Sequence, residues 1–188
     1  MKSVSIIIPT RGLRDDWLKE AFDSIDRQTK QPLEVITAVG EDEVCDRINR
    51  AISSARGEYI LILSDDDILE DNFLEITSEE MEKQGVDIVA TFIKLFGEDG
   101  GMHGPEKHPF FSSLFKKSIW EKVGGFDDKM LQMADVDFWV RCFNAGARWG
   151  ITPRTFYNYR KHGDQDSGTA NWDIARAAYL KKHGKFID

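Results

Sequence analysis

The chain has 188 residues, of which 41% are hydrophobic and 31% are charged, and its formal net charge is -8. That apolar content suffices for one packed core, so we expect a single domain over residues 1–188. The acidic balance argues against binding to nucleic acid or to anionic lipid. No run approaches the ~18 apolar residues of a transmembrane helix. With two cysteines that lack metal-site spacing, we expect a soluble cytoplasmic protein or a soluble domain of a longer chain.

Strands and helices are predicted to alternate over the first ninety residues. Continuous aliphatic or β-branched runs predict buried strands, and apolar residues at helical spacing predict the helices between them. This order predicts an α/β fold in three α/β/α layers, with a mostly parallel open sheet and helices on both faces. The predicted strands are 4–8, 33–39, 59–63 and 86–91, and the predicted helices are 15–28, one between Asp42 and Gly57, and 71–84.

The second half of the chain has a less regular pattern. Residues 97–109 contain four glycines and two prolines, which predicts a loop. After it we expect a short strand at 113–115. Three helices are predicted beyond that strand, at 118–123, 135–145 and 171–183.

Three adjacent carboxylates, Asp65, Asp66 and Asp67, follow the third predicted strand. Ligands of open parallel sheets bind at the carboxyl ends of the strands. Neighbouring carboxylates repel one another, and Mg²⁺ or Mn²⁺, which prefers oxygen ligands and completes its shell with phosphates, relieves that repulsion. The cluster therefore indicates a metal–diphosphate site. The alternative is a polar turn in which Asp67 or Asp71 caps the next helix.

Four segments, in this order, resemble the family 2 glycosyltransferases of the GT-A (Rossmann-like) fold. They are SIIIPTRG, NRAISSARGEYILILSDDD, KKSIWEKVGGFDDKM and ADVDFWVRCFNAG, and the resemblance spans about residues 3–165. It implies transfer of a sugar from a nucleoside-diphosphate sugar, with inversion and with Mn²⁺ or Mg²⁺ as cofactor. A UDP-sugar is the favoured donor, a GDP- or dTDP-sugar the next. The acceptor would be a glycan or a lipid-linked or protein-linked group.

The resemblance also implies a division of labour along the chain. Residues 1–95 would bind the nucleotide sugar, and residues 96–188 would bind the acceptor and supply the base. Asp66 and Asp67 would be metal ligands, and Asp65 would face the donor.

Two aspartates at the start of a predicted helix match the family's acidic motif before the catalytic helix. Asp135 would be the general base that deprotonates the acceptor hydroxyl. Asp137 would contact the acceptor or orient a neighbour. The alternative for both is a purely structural interaction with the positive end of the helix dipole.

Further donor-site residues are implied at the first strand and beyond it. Pro9, Thr10 and Arg11 end that strand, where the family binds the nucleotide, and Arg47 faces the same region. His162 would reach the metal or the diphosphate. The alternatives are a solvated loop residue for Arg11, a helix-surface charge for Arg47 and a surface histidine for His162.

The sequence departs from the family pattern at several positions. Val39 and Gly40 stand where relatives carry the aspartates that read the nucleotide base, so an acidic residue at 41 or 42 would have to make that contact. Ser64 and Ala134 stand where relatives often have acidic residues. These departures leave the identity of the donor open.

Two other functions fit parts of the pattern. A nucleotidyltransferase would need a glycine- and lysine-rich loop after the first strand, but PTRGLRDD has one glycine and no lysine. A catalytically degenerate nucleotide-sugar-binding module is favoured by the altered second strand. The presence of Asp66, Asp67 and Asp135 argues against that module.

Overall fold

The computed structural model describes residues 2–97, 101–103, 113–163 and 172–185. The predicted helices agree closely with those observed, and a 3-10 helix (Asp128–Met133) precedes the fifth. The helices are α1 (Asp15–Asp26), α2 (Val44–Ser54), α3 (Phe73–Gln84), α4 (Lys117–Val123), α5 (Ala134–Asn144) and α6 (Trp172–His183). The strands are β1 (Val4–Thr10), β2 (Glu34–Val39), β3 (Tyr59–Ile62), β4 (Ile68–Leu69), β5 (Ile88–Gly97), β6 (Gly101–His103), β7 (Leu114–Lys116) and β8 (Trp149–Lys161).

The strands form one sheet in the order β2-β1-β3-β7-β5-β8-β4, with β6 paired to β5. The pairings place β1, β2, β3, β5 and β8 in one direction and the three short strands β4, β6 and β7 in the other. The expected mostly parallel sheet is therefore confirmed. Strand β7 lies antiparallel between β3 and β5, so strands from both halves of the chain share the sheet.

Helices cover both faces of the sheet, which confirms the three-layer prediction. Alternate residues of a strand point to opposite faces. Ile6 and Ile8 pack with α1 and α3, whereas Ile7 packs with α2, α4 and α5. Trp139 on α5 is 1% exposed and its ring lies 5.8 Å from that of Phe115, so it belongs to the core rather than to a sugar-stacking surface. In the part of the chain described, none of the helices has the length and apolar character to cross a membrane.

The longest strand, β8, was not predicted. Its register against β5 shifts between Thr91 and Phe92, where residues 153–155 of β8 form an irregularity that interrupts the strand pattern. Strand β5 also continues to Gly97, beyond the predicted strand end. Of the predicted loop at 97–109, residues 98–100 and 104–109 lie outside the described residues, and β6 occupies 101–103. Because β8 runs parallel to β1 and β3, its carboxyl end lies at the same edge of the sheet as theirs.

Candidate active site

The candidate site lies where the carboxyl ends of three parallel strands meet. The chain leaves β1 at Thr10, leaves β3 just before the aspartates, and leaves β8 just before His162. Parallel direction puts all three ends on one edge of the sheet, the usual ligand edge of an open α/β sheet. Arg14 comes after the short segment that follows β1, as the residue before α1. Cationic and acidic residues far apart in sequence therefore meet here.

Asp65 and Asp66 are contacted by side chains at the end of β1, just before α1 and just after β8. The Thr10 hydroxyl donates to Asp65 Oδ2 at 2.5 Å. The Arg14 guanidinium lies 2.9 Å from Asp66 Oδ2 and 3.6 Å from Asp65 Oδ1. His162 Nε2 lies 2.9 Å from the same Asp66 oxygen, and its side chain is 9% exposed. The interpretation of His162 as an isolated surface histidine is therefore wrong.

Trp17 on α1 supports the cationic residues of this site. Its ring lies 5.4 Å from the Arg14 guanidinium and 5.2 Å from that of Arg160, distances at which cation–π attraction operates. The His162 ring lies 4.5 Å from the same indole. Arg160 also donates from Nε to the backbone carbonyl of Asp66 at 2.8 Å. One aromatic residue therefore contacts three residues that carry or can carry positive charge.

Asp67 has a different environment from its two neighbours. It is 1% exposed, and its Oδ1 accepts a hydrogen bond from the Arg160 backbone N–H at 2.8 Å. Burial, and then the charge of Asp66, raises the pKa of Asp67 to about 8, against the lowering effect of hydrogen bonds from Arg160, Tyr157 and Ser64. Asp67 thus connects the end of β3 to β8, and its role as a metal ligand stays a prediction.

The alternative in which an aspartate caps the next helix is wrong. Helix α3 begins after Asn72, whose side chain makes no capping hydrogen bond. Asp71 instead accepts from Arg27 Nε at 3.1 Å, and Asp67 is separated from α3 by β4. The acidic cluster therefore has no helix-capping function.

The predicted donor-site residues at β1 lie at the same edge. Thr10 is buried, Pro9 is half-buried and Arg11 is exposed, so the structure leaves the solvated-loop alternative for Arg11 open. Arg47 is 4% exposed, and its guanidinium lies 3.5 Å from the backbone carbonyl of Thr10. The helix-surface interpretation of Arg47 is therefore wrong, because this arginine is buried beneath the end of β1.

Asp42 occupies the space beside Gly40, after the end of β2. A Cβ at Gly40 would lie 2.6 Å from Asp42 Oδ1 and 3.0 Å from Arg47 Cδ, so a side chain there would displace Asp42. Asp42 Oδ2 accepts from Arg50 at 2.5 Å. The observed position of the Asp42 side chain therefore requires a glycine at position 40. Contact between Asp42 and a nucleotide base stays a prediction.

The second acidic pair lies in the first turn of α5. Asp135 is half-buried, and its Oδ1 accepts from the Val136 backbone N–H at 2.8 Å. Leu131, in the 3-10 helix that precedes α5, has a φ of 49° and a ψ of -127°. This backbone conformation is energetically unfavourable for a non-glycine residue. Strain of this kind is frequent beside functional groups.

Asp137 is fully buried and contacts α6 as well as its own helix. Its Oδ2 accepts from Arg141 Nε at 2.8 Å, while its Oδ1 lies 2.8 Å from Lys182 Nζ and 2.7 Å from His183 Nε2. Burial alone would raise the pKa of Asp137, but the hydrogen bonds from Lys182, Arg141 and His183 outweigh burial and lower it. Lys182 also pairs with Asp127 at 2.7 Å. Asp137 therefore joins α6 to the start of α5.

Four contributors to the site were not predicted: Arg14, Trp17, Tyr157 and Arg160. Arg14 and Trp17 surround the acidic start of α1, and nothing in their sequence context distinguishes them from surface residues. The Tyr157 hydroxyl oxygen accepts a hydrogen bond from the Ser64 backbone N–H at 3.1 Å. The alternation of Tyr157 and Tyr159 with polar residues is a period-two strand signal that would have placed both Tyr157 and Arg160 on β8.

Two curated proteins that are similar to this chain carry glycosyltransferase names. It is 24% identical to an uncharacterised glycosyltransferase of Methanocaldococcus jannaschii, over 84% of this chain and 70% of that protein. It is 26% identical to glycosyltransferase GlyG of Streptococcus pneumoniae, over 52% of this chain and 41% of that protein. The chain thus spans less than half of GlyG.

Solved structures of TarS from S. aureus show the same fold. TarS superposes with a TM-score of 0.72 at 12% identity, covering 99% of this chain and 40% of TarS. A crystal structure of TarS 1–349 in complex with UDP-GlcNAc gives 0.72 at 13% identity, covering 99% and 68%. Residues 44–147, more than half of the 188, match the family model described as glycosyl transferase family 2. The protein therefore belongs to glycosyl transferase family 2 and has its GT-A fold.

Proposed function

We propose that this protein is a metal-dependent, inverting glycosyltransferase that moves a sugar from a nucleoside-diphosphate sugar to an acceptor hydroxyl. The observation that carries the proposal is the meeting of Asp65, Asp66 and His162 with cationic side chains at the ligand edge of the sheet. UDP and UDP-GlcNAc complexes of TarS favour a UDP-sugar as donor over a GDP- or dTDP-sugar.

The donor would lie across the ends of β1 and β3. Pro9, Thr10 and Arg11 border this position, and Arg47 supports the end of β1 from below through the Thr10 carbonyl. The Thr10 hydroxyl fixes the orientation of Asp65 by its 2.5 Å hydrogen bond. In this arrangement residues 1–95 bind the nucleotide sugar, and α5 in the second half supplies the base.

Asp66 and His162 are the residues suited to hold Mn²⁺ or Mg²⁺. The Asp66 carboxylate is a ligand type for both ions, whereas the His162 imidazole suits Mn²⁺ rather than Mg²⁺, which takes oxygen ligands. Mg²⁺ usually takes one or two carboxylates together with phosphate oxygens. Within the described ranges, no group of three acidic, cysteine or histidine side chains is arranged to hold a metal. A cation bound here would neutralise the negative charge that develops on the departing diphosphate. Asp67, with one oxygen hydrogen-bonded to the β8 backbone, suits this role less well.

Asp135 is proposed as the general base. The acceptor oxygen gives its proton to the Asp135 carboxylate while it forms a bond to C1 of the sugar. The bond between C1 and the diphosphate oxygen breaks, and its electron pair leaves with the nucleoside diphosphate. Attack from the face opposite the leaving group inverts the configuration at C1. Asp137 is proposed to orient this turn of α5, because its own oxygens are already engaged by Arg141, Lys182 and His183.

Thermal unfolding with UDP, GDP, dTDP and UTP, each with and without Mn²⁺, tests the proposal. A diphosphate at 100 times its Kd should stabilise the fold by about 2.7 kcal/mol, and only with Mn²⁺ present. We expect UDP to give the largest shift and UDP-sugars to be slowly hydrolysed. Stabilisation by UTP alone would indicate nucleotidyl transfer. Metal-dependent binding without any turnover of donor and acceptor would indicate a binding module.

A further inference from the structure

Arg14 occupies a central place among the carboxylates of the candidate site. Its guanidinium lies 2.9 Å from Asp66 Oδ2 and 3.6 Å from Asp65 Oδ1, so one positive charge serves two neighbouring negative charges. The shorter of the two contacts is a charge-assisted hydrogen bond to Asp66 Oδ2, the same oxygen that His162 approaches. In this arrangement Arg14 already relieves the repulsion that a divalent cation would otherwise relieve.

We propose that Arg14 is an internal counter-cation: it competes with the divalent metal for Asp66 and transfers to the donor diphosphate when metal and donor bind together. This inference rests on the proposed function, because it assigns a further residue to the same site. It makes Arg14 a donor-binding residue, and it makes metal binding and donor binding depend on each other.

A metal bound at Asp66 Oδ2 would share that oxygen with Arg14. A metal–oxygen distance of about 2.1 Å, added to the 2.9 Å contact of Arg14, would place the ion at most about 5 Å from the guanidinium nitrogen. A divalent and a monovalent cation at that separation repel each other strongly in a partly buried site. Each cation therefore weakens the binding of the other at this oxygen, and departure of the guanidinium favours binding of the metal there.

The Arg14 side chain has more exposed surface than that of Arg160. The Arg14 side chain is 27% exposed and extends from the residue before α1 over the face of Trp17. The Arg160 side chain is 13% exposed and contacts the Asp66 carbonyl and Glu20. Greater exposure leaves the Arg14 guanidinium more space in which to turn away from Asp66.

The diphosphate of the donor is the natural new partner for Arg14. Guanidinium groups bind phosphate oxygens through two parallel hydrogen bonds, and the diphosphate must lie beside the metal at this same edge. Movement of Arg14 from carboxylate to diphosphate exchanges one charge-assisted contact for another. By linkage, donor binding should then tighten metal binding and metal binding should tighten donor binding by the same factor.

The experiment is to measure Mn²⁺ binding by electron paramagnetic resonance, without UDP and with saturating UDP. The variants are Arg14→Ala and Arg14→Lys, and Arg27→Ala is the control, since it removes another arginine–aspartate pair of α1 at 3.1 Å that lies outside the site. In Arg14→Ala we expect Mn²⁺ alone to bind about three- to tenfold more tightly, and UDP to tighten it less than in the wild type. Arg27→Ala should match the wild type, and Arg14→Lys should fall between.

Four results would overturn the inference. Unchanged or weaker Mn²⁺ binding by Arg14→Ala in the absence of UDP contradicts the competition. An unchanged effect of UDP on Mn²⁺ affinity in that variant contradicts the transfer to the diphosphate. Either result leaves the proposed function intact, provided that the wild type binds UDP with Mn²⁺. Absence of Mn²⁺ binding to the wild type, with and without UDP, overturns both proposals. If Arg14→Ala does not fold, Arg14→Lys is measured in its place. The inference is then overturned if Arg14→Lys has the same Mn²⁺ affinity as the wild type both without UDP and with saturating UDP.

Discussion

Each of the two acidic clusters contains one aspartate that is at most 1% exposed, and these two aspartates have opposite electrostatic environments. Asp67, after β3, is 1% exposed, and Asp137, in α5, is 0% exposed. The pKa of Asp67 is raised to about 8 by burial and by the adjacent Asp66, whereas the pKa of Asp137 is lowered by hydrogen bonds from Lys182, Arg141 and His183. Two side chains with almost no exposed surface therefore have opposite pKa shifts, and the cationic hydrogen-bond donors around Asp137, in contrast to the carboxylate beside Asp67, contribute to that difference.

In each cluster, one aspartate makes contacts between secondary-structure elements, and a neighbouring aspartate is proposed to act in binding or catalysis. Asp67 accepts from the backbone of β8 and so connects two strands, while the adjacent Asp66 is contacted by the side chains of Arg14 and His162. Asp137 connects α5 to α6, while Asp135, two residues earlier, remains half-buried. In both clusters the more deeply buried aspartate holds the backbone next to a carboxylate that is more exposed. The following substitutions test that division.

The largest effect is expected for Asp135→Asn. Loss of the general base should lower kcat by about 10²–10⁴-fold and leave UDP affinity nearly unchanged. Asp173→Asn, in the first turn of α6, is the matched control, because it too removes a carboxylate from a helix N-terminus. Steady-state transfer kinetics give the answer. If the two variants behave alike, or if Asp135→Asn keeps activity within about tenfold of the wild type, Asp135 acts only on the helix dipole.

Asp137→Asn should instead lower stability. Removal of one partner from a buried charge cluster costs about 3 kcal/mol, roughly a hundredfold in the folding equilibrium. The folded pKa of Asp137 is lowered, so its stabilising contribution is present above the unfolded pKa, about 3.9, and is lost as pH falls through the lower folded pKa. Urea unfolding at pH 7 and at pH 3 should therefore show a difference from the wild type that shrinks in acid. Asp127→Asn, at a more exposed position, should show a smaller difference, and an equal loss in both variants would contradict the special position of Asp137.

A smaller effect, confined to ligand binding, is expected for Asp66→Ala. Loss of a charged ligand should weaken Mn²⁺-dependent UDP binding by about 10- to 100-fold, as measured by calorimetry. Asp71→Ala is the control, because it removes an aspartate that pairs with an arginine outside the site, Arg27, the residue after α1. If Asp66→Ala binds Mn²⁺ with the same affinity as the wild type, Asp66 is not a metal ligand.

The sequence predicted the layers of the fold well because the first half alternates strands and helices with clear periodicity. The carboxylate cluster was found for the same reason, since a short apolar run marks the strand before Asp65. The antiparallel position of β7 could not be read from three residues, because strand order depends on contacts between distant segments. The irregularity at 153–155 hid β8, and with it the contribution of Arg160.

Burial of polar residues was the other limit of the sequence. Arg47 and His162 stand among charged neighbours, which is typical of surface positions, yet both lie beneath strand ends. Their positions follow from the directions of β1 and β8 in the sheet, not from local pattern. Arg14 could not be recognised at all, because its partners are about fifty residues away in the chain.

The position of β7 between β3 and β5 has a consequence for folding during synthesis of the chain. In the described sheet, Leu114–Lys116 is the link between the group β2-β1-β3 and the group β5-β8-β4. When a ribosome has released only the first 97 residues, both groups exist in part, but the strand that joins them has not yet been synthesised. Until β7 is made, the facing edges of β3 and β5 would lack their neighbouring strand, and unpaired strand edges favour aggregation.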